Sequence, residues 1–187
     1  MRITAGEHRG RRLRSPKGAR TRPTSDLLRQ AIFNVLGARI QGARVLDLFA
    51  GTGALGLEAL SRGAADVTFV ERDRAALASL RTNLAGLGLS SRARVVAQET
   101  LAALDGLARA GERFDCVLLD PPYSGGLALR CVETLAPGGI LSQNALLFVQ
   151  AFHKTEVPAR AGVLSQVWRR RYGETRLTLY RKEGACP

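Results

Sequence analysis

Short apolar runs alternate along this chain with longer stretches in which apolar residues recur every three or four positions. The short runs predict buried strands, and the longer stretches predict helices. The predicted strands are residues 43–48, 66–71, 93–97, 114–119 and 145–150, and the predicted helices are residues 27–36, 54–60, 74–87, 101–109 and 127–135. Strands that alternate with helices in this way form a doubly wound, mostly parallel α/β sheet. Residues 162–170 and 175–180 are predicted to add an antiparallel hairpin at the C-terminal end.

The first predicted strand runs into glycine-rich sequence, in which Gly51, Gly53 and Gly56 match the pattern GxGxxG between a strand and a helix. Glycines at such a turn let the backbone bend tightly and approach a ligand, although a purely structural turn is an alternative explanation. Glu71 ends the next strand, 20 residues after Gly51. Because a carboxylate there can accept hydrogen bonds from both hydroxyls of a ribose, we predict a cofactor that contains a nucleoside.

The position of Asp47 distinguishes between nucleoside cofactors. A dinucleotide places its pyrophosphate at the helix N-terminus, where a nearby carboxylate would repel it. Asp47 lies at the strand end just before the glycines, where it suits a cation such as the amino group of a methionine moiety. This favours S-adenosyl-L-methionine over NAD, with a cap for the loop as the alternative role of Asp47. Glu99, after the third strand, either reaches the adenine amino group or is a surface carboxylate.

The fourth predicted strand ends in Asp120-Pro121-Pro122-Tyr123. The Asp120 carboxylate and the Pro121 carbonyl can both accept hydrogen bonds from an exocyclic NH2 group, and Tyr123 can stack on a base. The prolines lack N–H groups, so they add no local donors that would compete for these acceptors. We therefore predict methyl transfer to an exocyclic amine of a base; a simple Pro-Pro turn is the alternative.

The net charge of +12 is concentrated at the two ends of the chain. Residues 1–22 carry eight basic residues and one acidic residue, and residues 168–187 carry six basic and two acidic residues, so the part between them is nearly neutral. Such ends are either solvated tails or a surface that binds phosphates. A phosphate-binding surface formed by both ends implies a nucleic-acid partner.

A second indication of phosphate binding lies in residues 21–26, Thr-Arg-Pro-Thr-Ser-Asp, which we expect to act together with residues 169–175. Arginines beside hydroxyls and backbone N–H groups at a helix start form a phosphate site. Alternatively, Arg22 pairs with Asp26 and stabilises the helix. The candidate RNA contacts are Arg9, Arg11, Arg12, Arg14, Lys17, Arg20, Arg22, Thr24, Arg170 and Tyr172.

Four segments resemble, in the same order, the RsmD family of bacterial 16S rRNA guanine-N2 methyltransferases. They are residues 45–64, residues 21–26 with Phe33-Asn34, residues 120–123 and residues 172–175. The resemblance implies a Rossmann-like class I methyltransferase fold with a seven-stranded sheet. It also implies methylation of the exocyclic N2 of one guanine, in 16S rRNA or in a small-subunit assembly particle.

The resemblance carries cofactor binding over to Asp47, Gly51, Gly53 and Glu71, and catalysis to residues 120–123. The family's Asp-Ala-like step after the third strand reads Gln98-Glu99-Thr100 here. With neighbouring positions included, the candidate cofactor-binding residues are Asp47, Phe49, Ala50, Gly51, Gly53, Glu71, Arg72 and Glu99, and the candidate catalytic residues are Asp120, Pro121, Pro122 and Tyr123.

The length of 187 residues suits one globular domain. We predict a basic arm or hairpin over residues 1–22, in contact with RNA, and a single methyltransferase domain over residues 23–187. We expect the arm to be too polar to make a core. No apolar run is long enough for a bilayer, and the three cysteines lack the spacing of metal ligands. We therefore expect a cytoplasmic monomer with no bound metal and no membrane contact.

Three other functions are compatible with parts of this pattern. A DNA adenine-N6 methyltransferase would use the same Asp-Pro-Pro-Tyr chemistry, but it usually needs a separate target-recognition domain. A non-catalytic rRNA-binding assembly factor would not need Asp120 or an intact glycine turn. An NAD-dependent oxidoreductase would not need Asp47 or Asp-Pro-Pro-Tyr.

Overall fold

A computed structural model of the chain describes residues 1–16, 25–123 and 126–184. The helices are α1 (Asp26–Leu36), α2 (Ala54–Ser61), α3 (Arg74–Leu87), α4 (Thr100–Arg109) and α5 (Leu127–Leu135). The strands are β1 (Arg44–Leu48), β2 (Asp66–Glu71), β3 (Ala93–Ala97), β4 (Phe114–Leu119), β5 (Leu141–Phe152), β6 (Arg160–Ala161), β7 (Leu164–Tyr172) and β8 (Thr175–Lys182). The chain forms two compact units, Met1–Thr100 and Leu101–Pro187.

The first unit contains three parallel strands in the order β3-β2-β1. Leu48 lies beside Val70, and Glu71 lies beside Ala97, so the carboxyl ends of the strands are level. The four residues from Val45 to Leu48 are all buried. Such continuous burial is typical of a parallel strand that is covered on both faces. The loops after β1, β2 and β3 therefore emerge at one edge of this part of the sheet.

Local signals set the ends of the helices in this unit. Ser25 caps α1 by accepting a hydrogen bond from the Leu28 N–H, and Asp73 caps α3 by accepting one from the Ala76 N–H. Gly88 ends α3 in the left-handed conformation, with φ of 71°. These caps explain why the predicted bounds of α1 and α3 agree with the structure to within one residue.

Residues 1–14 form a hairpin in which an isolated antiparallel bridge pairs Arg2 with Arg12. Ile3 and Leu13 are buried, with 1% and 7% of their surfaces exposed. The segment was expected to be too polar to make a core, yet it contributes these two buried side chains. The polarity of the sequence did not reveal this, because most of the segment consists of exposed residues such as arginine. The two apolar side chains that face inward are isolated in the sequence.

The second unit contains five strands in the order β4-β5-β8-β7-β6. β4 and β5 are parallel, and the remaining pairs are antiparallel. This confirms the predicted α/β class with a C-terminal antiparallel hairpin. The predicted number of seven strands is wrong, because the described residues contain eight. The additional strand, β6, has only two residues, which is too short to produce a recognisable pattern.

β5 begins four residues earlier than predicted because it contains an irregularity. Phe114 pairs with Leu141, but Cys116 pairs with Leu146, so extra residues of β5 bulge out of the ladder. Asn144 lies in this bulge with φ of 59°, a conformation that asparagine tolerates better than most residues.

Tyr180, on β8, is buried in the core. Burial raises the pKa of the Tyr180 hydroxyl to about 12, although the positive charge of Arg169 acts to lower this pKa.

Two kinds of feature are absent from the described ranges. No helix there has the length and apolar character to cross a membrane. No group of three or more His, Cys, Asp or Glu side chains there is arranged to hold a metal ion.

Candidate functional site

The loop after β1, residues 49–53, is named here the cofactor loop. Phe49, Gly51 and Gly53 all have positive φ, at 60°, 57° and 85°. Glycine adopts this conformation without strain, whereas a residue such as Phe49 does so at a cost of about 1–3 kcal/mol. A side chain built on Gly51 would meet no described atom within 4 Å, so the loop backbone faces open space there. This tight turn leaves room for a ligand directly against the main chain.

The Asp47 side chain is buried beneath this loop, with 1% of its surface exposed. Its Oδ2 accepts a hydrogen bond from the Gly56 N–H at 2.8 Å. Gly53, the N-cap residue of α2, has no side chain to perform this function, so Asp47 caps the helix in its place. The capping role that sequence analysis left open is therefore present, and it holds a carboxylate at the end of β1.

Glu71 connects the end of β2 to the cofactor loop. Its Oε2 accepts a hydrogen bond from the Gly51 N–H at 2.8 Å, and its Oε1 accepts hydrogen bonds from the Arg72 and Asp73 N–H groups, also at 2.8 Å. A carboxylate has about four acceptor positions, so Oε2 retains one. Counting the described residues, Glu71 thus holds the loop in place and keeps one acceptor position for a ligand hydroxyl.

The other predicted cofactor residues lie in the cofactor loop or follow β2 and β3. The Ala50 N–H donates to the Val70 carbonyl at 3.0 Å, which ties the loop to β2. The Arg72 side chain is exposed, and Glu99 is half-buried two residues beyond β3. At Gly56, an added Cβ would lie 2.2 Å from the Phe69 ring, so glycine allows α2 to pack closely on β2.

In the second unit, Asp120 and Pro121 follow β4 and are half-buried and buried, respectively. Tyr123 is 40% exposed, which is unusual for a large aromatic side chain. Its hydroxyl lies 2.7 Å from the Oγ1 of Thr175, a residue with only 1% of its surface exposed. The buried threonine therefore fixes the outer end of an exposed aromatic ring.

Phe152 and His153 extend this aromatic surface and were not predicted from the sequence. The Phe152 ring centroid lies 5.9 Å from that of Tyr123 and 4.5 Å from that of His153. The backbone N–H of His153 donates to the Glu174 carbonyl at 2.7 Å. The sequence signal that could have identified Phe152 is its place at the carboxyl end of β5, next to the strand that carries Asp120.

The hairpin of residues 1–14, named here the basic arm, exposes the predicted RNA contacts Arg9, Arg11, Arg12 and Arg14. The Arg11 guanidinium donates to the Gly86 carbonyl at 2.7 Å. The predicted contacts Lys17, Arg20, Arg22 and Thr24 lie outside the described residues.

Glu58, on α2, anchors the basic arm and was also missed by sequence analysis. It is fully buried and accepts hydrogen bonds from the Thr4 N–H at 2.8 Å, the Thr4 hydroxyl at 2.7 Å and the Ala5 N–H at 3.0 Å. Arg62 pairs with it at 2.8 Å. These contacts, mostly with main-chain atoms of the arm, hold the hairpin against α2. The visible signal is a single charge within an otherwise apolar helical segment, residues 54–60.

β7 carries a second basic surface, with Arg169, Arg170 and Arg171 exposed. The Arg170 guanidinium lies 5.5 Å from the centroid of the Tyr172 ring.

The alternative pair of Arg22 with Asp26 at the start of α1 falls outside the described residues, because Arg22 is not among them. Within them, Asp26 pairs with Arg29 at 2.8 Å and with Arg2 at 3.7 Å.

The glycine turn after β1 and the carboxylate at the end of β2 place the protein in the Rossmann-like class of α/β proteins. Comparison with known proteins narrows this class. A family model described as "Conserved hypothetical protein 95" matches residues 1–181. Ribosomal RNA small subunit methyltransferase D of Escherichia coli K12 is 39% identical over 183 residues, which cover 98% of this chain and 90% of that protein.

Its counterpart in Haemophilus influenzae is 40% identical over 151 residues, covering 80% of this chain and 78% of that protein. A solved Escherichia coli structure named yhhF is 39% identical, superposes with a TM-score of 0.86, and is matched over 98% of both chains. The chain belongs to the RsmD family, as the sequence resemblance predicted.

Proposed function

We propose that this protein is an S-adenosyl-L-methionine-dependent methyltransferase that modifies the exocyclic N2 of a guanine in 16S rRNA of the small ribosomal subunit. The observation that carries the proposal is the Asp120–Tyr123 segment, in which Thr175 fixes an exposed aromatic ring beside backbone and carboxylate acceptors. Family membership supports it, since relatives that match most of the chain are named as small-subunit rRNA methyltransferases.

The cofactor loop fits S-adenosylmethionine by the chemistry of its residues. Open space against Gly51 admits a ligand close to the backbone, and Glu71 retains an acceptor for a ribose hydroxyl. Asp47 places a negative charge at the end of β1, which attracts the cationic amino group of the methionine moiety. The bound cofactor would supply a methyl group made electrophilic by its positive sulfur.

The residues of the Asp120–Tyr123 segment would prepare the guanine amine. The lone pair of this nitrogen is delocalised into the ring, which makes it a poor nucleophile. The Asp120 carboxylate and the Pro121 carbonyl accept its two hydrogens and favour a pyramidal nitrogen, while Tyr123 stacks on the base. The Asp120 charge also stabilises the positive charge that develops on nitrogen. Placement of the reacting groups can supply up to roughly 7–11 kcal/mol of barrier reduction in well-oriented reactions.

A direct test incubates the protein and S-adenosylmethionine with unmodified 16S rRNA, both free and assembled with small-subunit proteins, followed by mass-spectrometric mapping. We expect a single N2-methylguanine. Methylation of adenine in a parallel incubation with duplex DNA would instead support the DNA methyltransferase alternative. Binding of the rRNA without methyl transfer would support the assembly-factor alternative.

The arginines of the basic arm are expected to contribute to RNA affinity through phosphate contacts. Truncation of the arm would also remove the buried Ile3 and Leu13, so the better variant replaces Arg9, Arg12 and Arg14 by glutamine. Each lost phosphate contact lowers the slope of log affinity against log salt by about 0.7–0.9. We expect the triple variant to bind 16S rRNA with a slope lower by about 2–3.

The matched control replaces three exposed arginines outside the arm, Arg39, Arg81 and Arg109, by glutamine. It changes the net charge by the same amount, so it separates local contacts from the overall charge. Equal slopes for the two triple variants would contradict the role of the arm.

Thr175 is expected to position Tyr123 through its hydroxyl. Thr175→Val keeps the side-chain shape but removes the 2.7 Å hydrogen bond, which is worth about 0.5–1.5 kcal/mol. We expect kcat/KM on rRNA to fall by about 2–10-fold, and Thr175→Ser to restore it. Thr178→Val, at another buried threonine of β8, is the control for packing. An equal loss in the Thr175→Ser variant would exclude the hydroxyl as the cause.

A further inference from the structure

The side chain of Asn83 joins two parts of the first unit that are distant in sequence. It lies on α3 with 4% of its surface exposed. Its Nδ2 donates to the Thr52 carbonyl in the cofactor loop and to the Arg14 carbonyl in the basic arm, both at 3.0 Å. Its Oδ1 accepts a hydrogen bond from the Arg14 N–H at 2.7 Å. A single buried amide thus uses both of its donors and one acceptor position on these two segments.

On the arm side, Asn83 satisfies both main-chain groups of Arg14, as a neighbouring strand would. Three residues further along α3, the Gly86 carbonyl accepts the guanidinium of Arg11. Residues three apart lie on the same face of a helix, so one face of α3 holds the arm at two points. The exposed arginine side chains of the arm project from a backbone that Asn83 fixes.

On the loop side, Thr52 lies between Gly51 and Gly53, which both have positive φ, so hydrogen bonds help to select the conformation of this stretch. Glu71 holds the Gly51 N–H on one side of the loop, and Asn83 holds the Thr52 carbonyl on the other. Leu80, one turn before Asn83, would lie 2.4 Å from a Cβ at Gly53, so α3 also supports the loop by packing.

We propose that Asn83 is a positioning residue that couples RNA engagement by the basic arm to cofactor binding by the loop. The inference rests on the proposed function for the identity of the two ligands. A shift of either segment removes a hydrogen bond from the same amide and leaves a buried donor unsatisfied, which is unfavourable. Each ligand therefore stabilises the arrangement that the other one binds, and the coupling is reciprocal.

The test measures the affinity for S-adenosylhomocysteine, which has no methyl group to transfer, with and without saturating unmodified 16S rRNA assembled with small-subunit proteins. In the wild-type protein we expect the rRNA to tighten S-adenosylhomocysteine binding by at least about fivefold, the lower end of typical coupling. In Asn83→Ala this ratio should fall to near one. A residue that merely supported the fold would weaken binding in both conditions and leave the ratio unchanged.

Two further variants keep the test decisive. Asn83→Asp preserves the side-chain volume and the acceptor for Arg14 but loses both donors, so it should also lose the coupling, and it replaces Asn83→Ala if that variant does not fold. Thr82→Ala, at the adjacent exposed residue whose hydroxyl donates along the helix to the Ala78 carbonyl at 2.9 Å, should retain the wild-type ratio.

Different results would contradict the coupling through Asn83 and the proposed methyltransferase function. A wild-type ratio of one, or an equal ratio in wild type and both Asn83 variants, would overturn the coupling while methyl transfer to rRNA still supported the proposed function. Absence of S-adenosylhomocysteine binding or of methyl transfer in the wild-type protein would instead contradict the proposed function, and the coupling with it.

Discussion

Replacement of Asp120 by alanine is expected to reduce methyl transfer by roughly 10²–10³-fold, the effect typical of removing one preorganised group that stabilises transition-state charge. The half-buried carboxylate is the charged acceptor that the proposal places against the guanine amine. S-adenosylmethionine affinity should stay at the wild-type value, because the residues proposed to bind it lie in the first unit. Single-turnover assays on unmodified 16S rRNA measure the first quantity, and calorimetry measures the second.

Asp115→Ala is the matched control, since Asp115 lies on β4 five residues earlier and is exposed. It removes the same functional group from the same strand. Unchanged turnover in Asp120→Ala, or an equal loss in both variants, would rule out the proposed role of Asp120.

Glu71→Gln is expected to weaken S-adenosylmethionine binding by about 10-fold to 100-fold. The amide keeps one oxygen and replaces the other by a donor, which would face a backbone N–H that the carboxylate now accepts. Hydrogen bonds to a charged group are worth about 1.5–3 kcal/mol, which sets the size of the effect. Because the same carboxylate holds Gly51, the variant should also lower the thermal stability. Calorimetry and thermal melting measure these two effects.

Asp66→Asn, at the opposite end of β2, is the control for this prediction. Asp66 pairs with Arg44 at 3.4 Å, and both side chains are more than 40% exposed. An exposed pair of this kind contributes only about 0–1 kcal/mol. A folded Glu71→Gln protein with wild-type cofactor affinity would remove Glu71 from the binding site.

The sequence predicted the fold class because each element follows a local rule. The apolar run at the first strand, the glycines after it and the caps at Ser25 and Asp73 are all visible without a structure. The irregular start of β5 was not predictable, since it depends on how β5 pairs with its neighbour. The two-residue strand β6 exists only through pairing with β7.

The residues of the candidate site likewise fall into two groups, those that the sequence predicted and those that it did not. Asp47, Glu71 and Asp120 stand directly at strand ends, so topology alone predicted their positions. Glu58 and Asn83 lie within helices, and their partners in the basic arm are 53 to 69 residues away in sequence. Both are polar residues at buried helical positions, which indicates a hydrogen-bonding role but does not identify the partner.

The basic arm is attached mainly through its main chain, so its exposed side chains can be changed to alter what the protein recognises. Glu58 and Asn83 hold the arm mainly through the main-chain groups of Thr4, Ala5 and Arg14, which every residue except proline provides. The exposed side chains of Arg9 and Arg12 are therefore available for variation without loss of the attachment. A library randomised at these positions would sample different target preferences on an unaltered scaffold, so recognition can be engineered separately from folding.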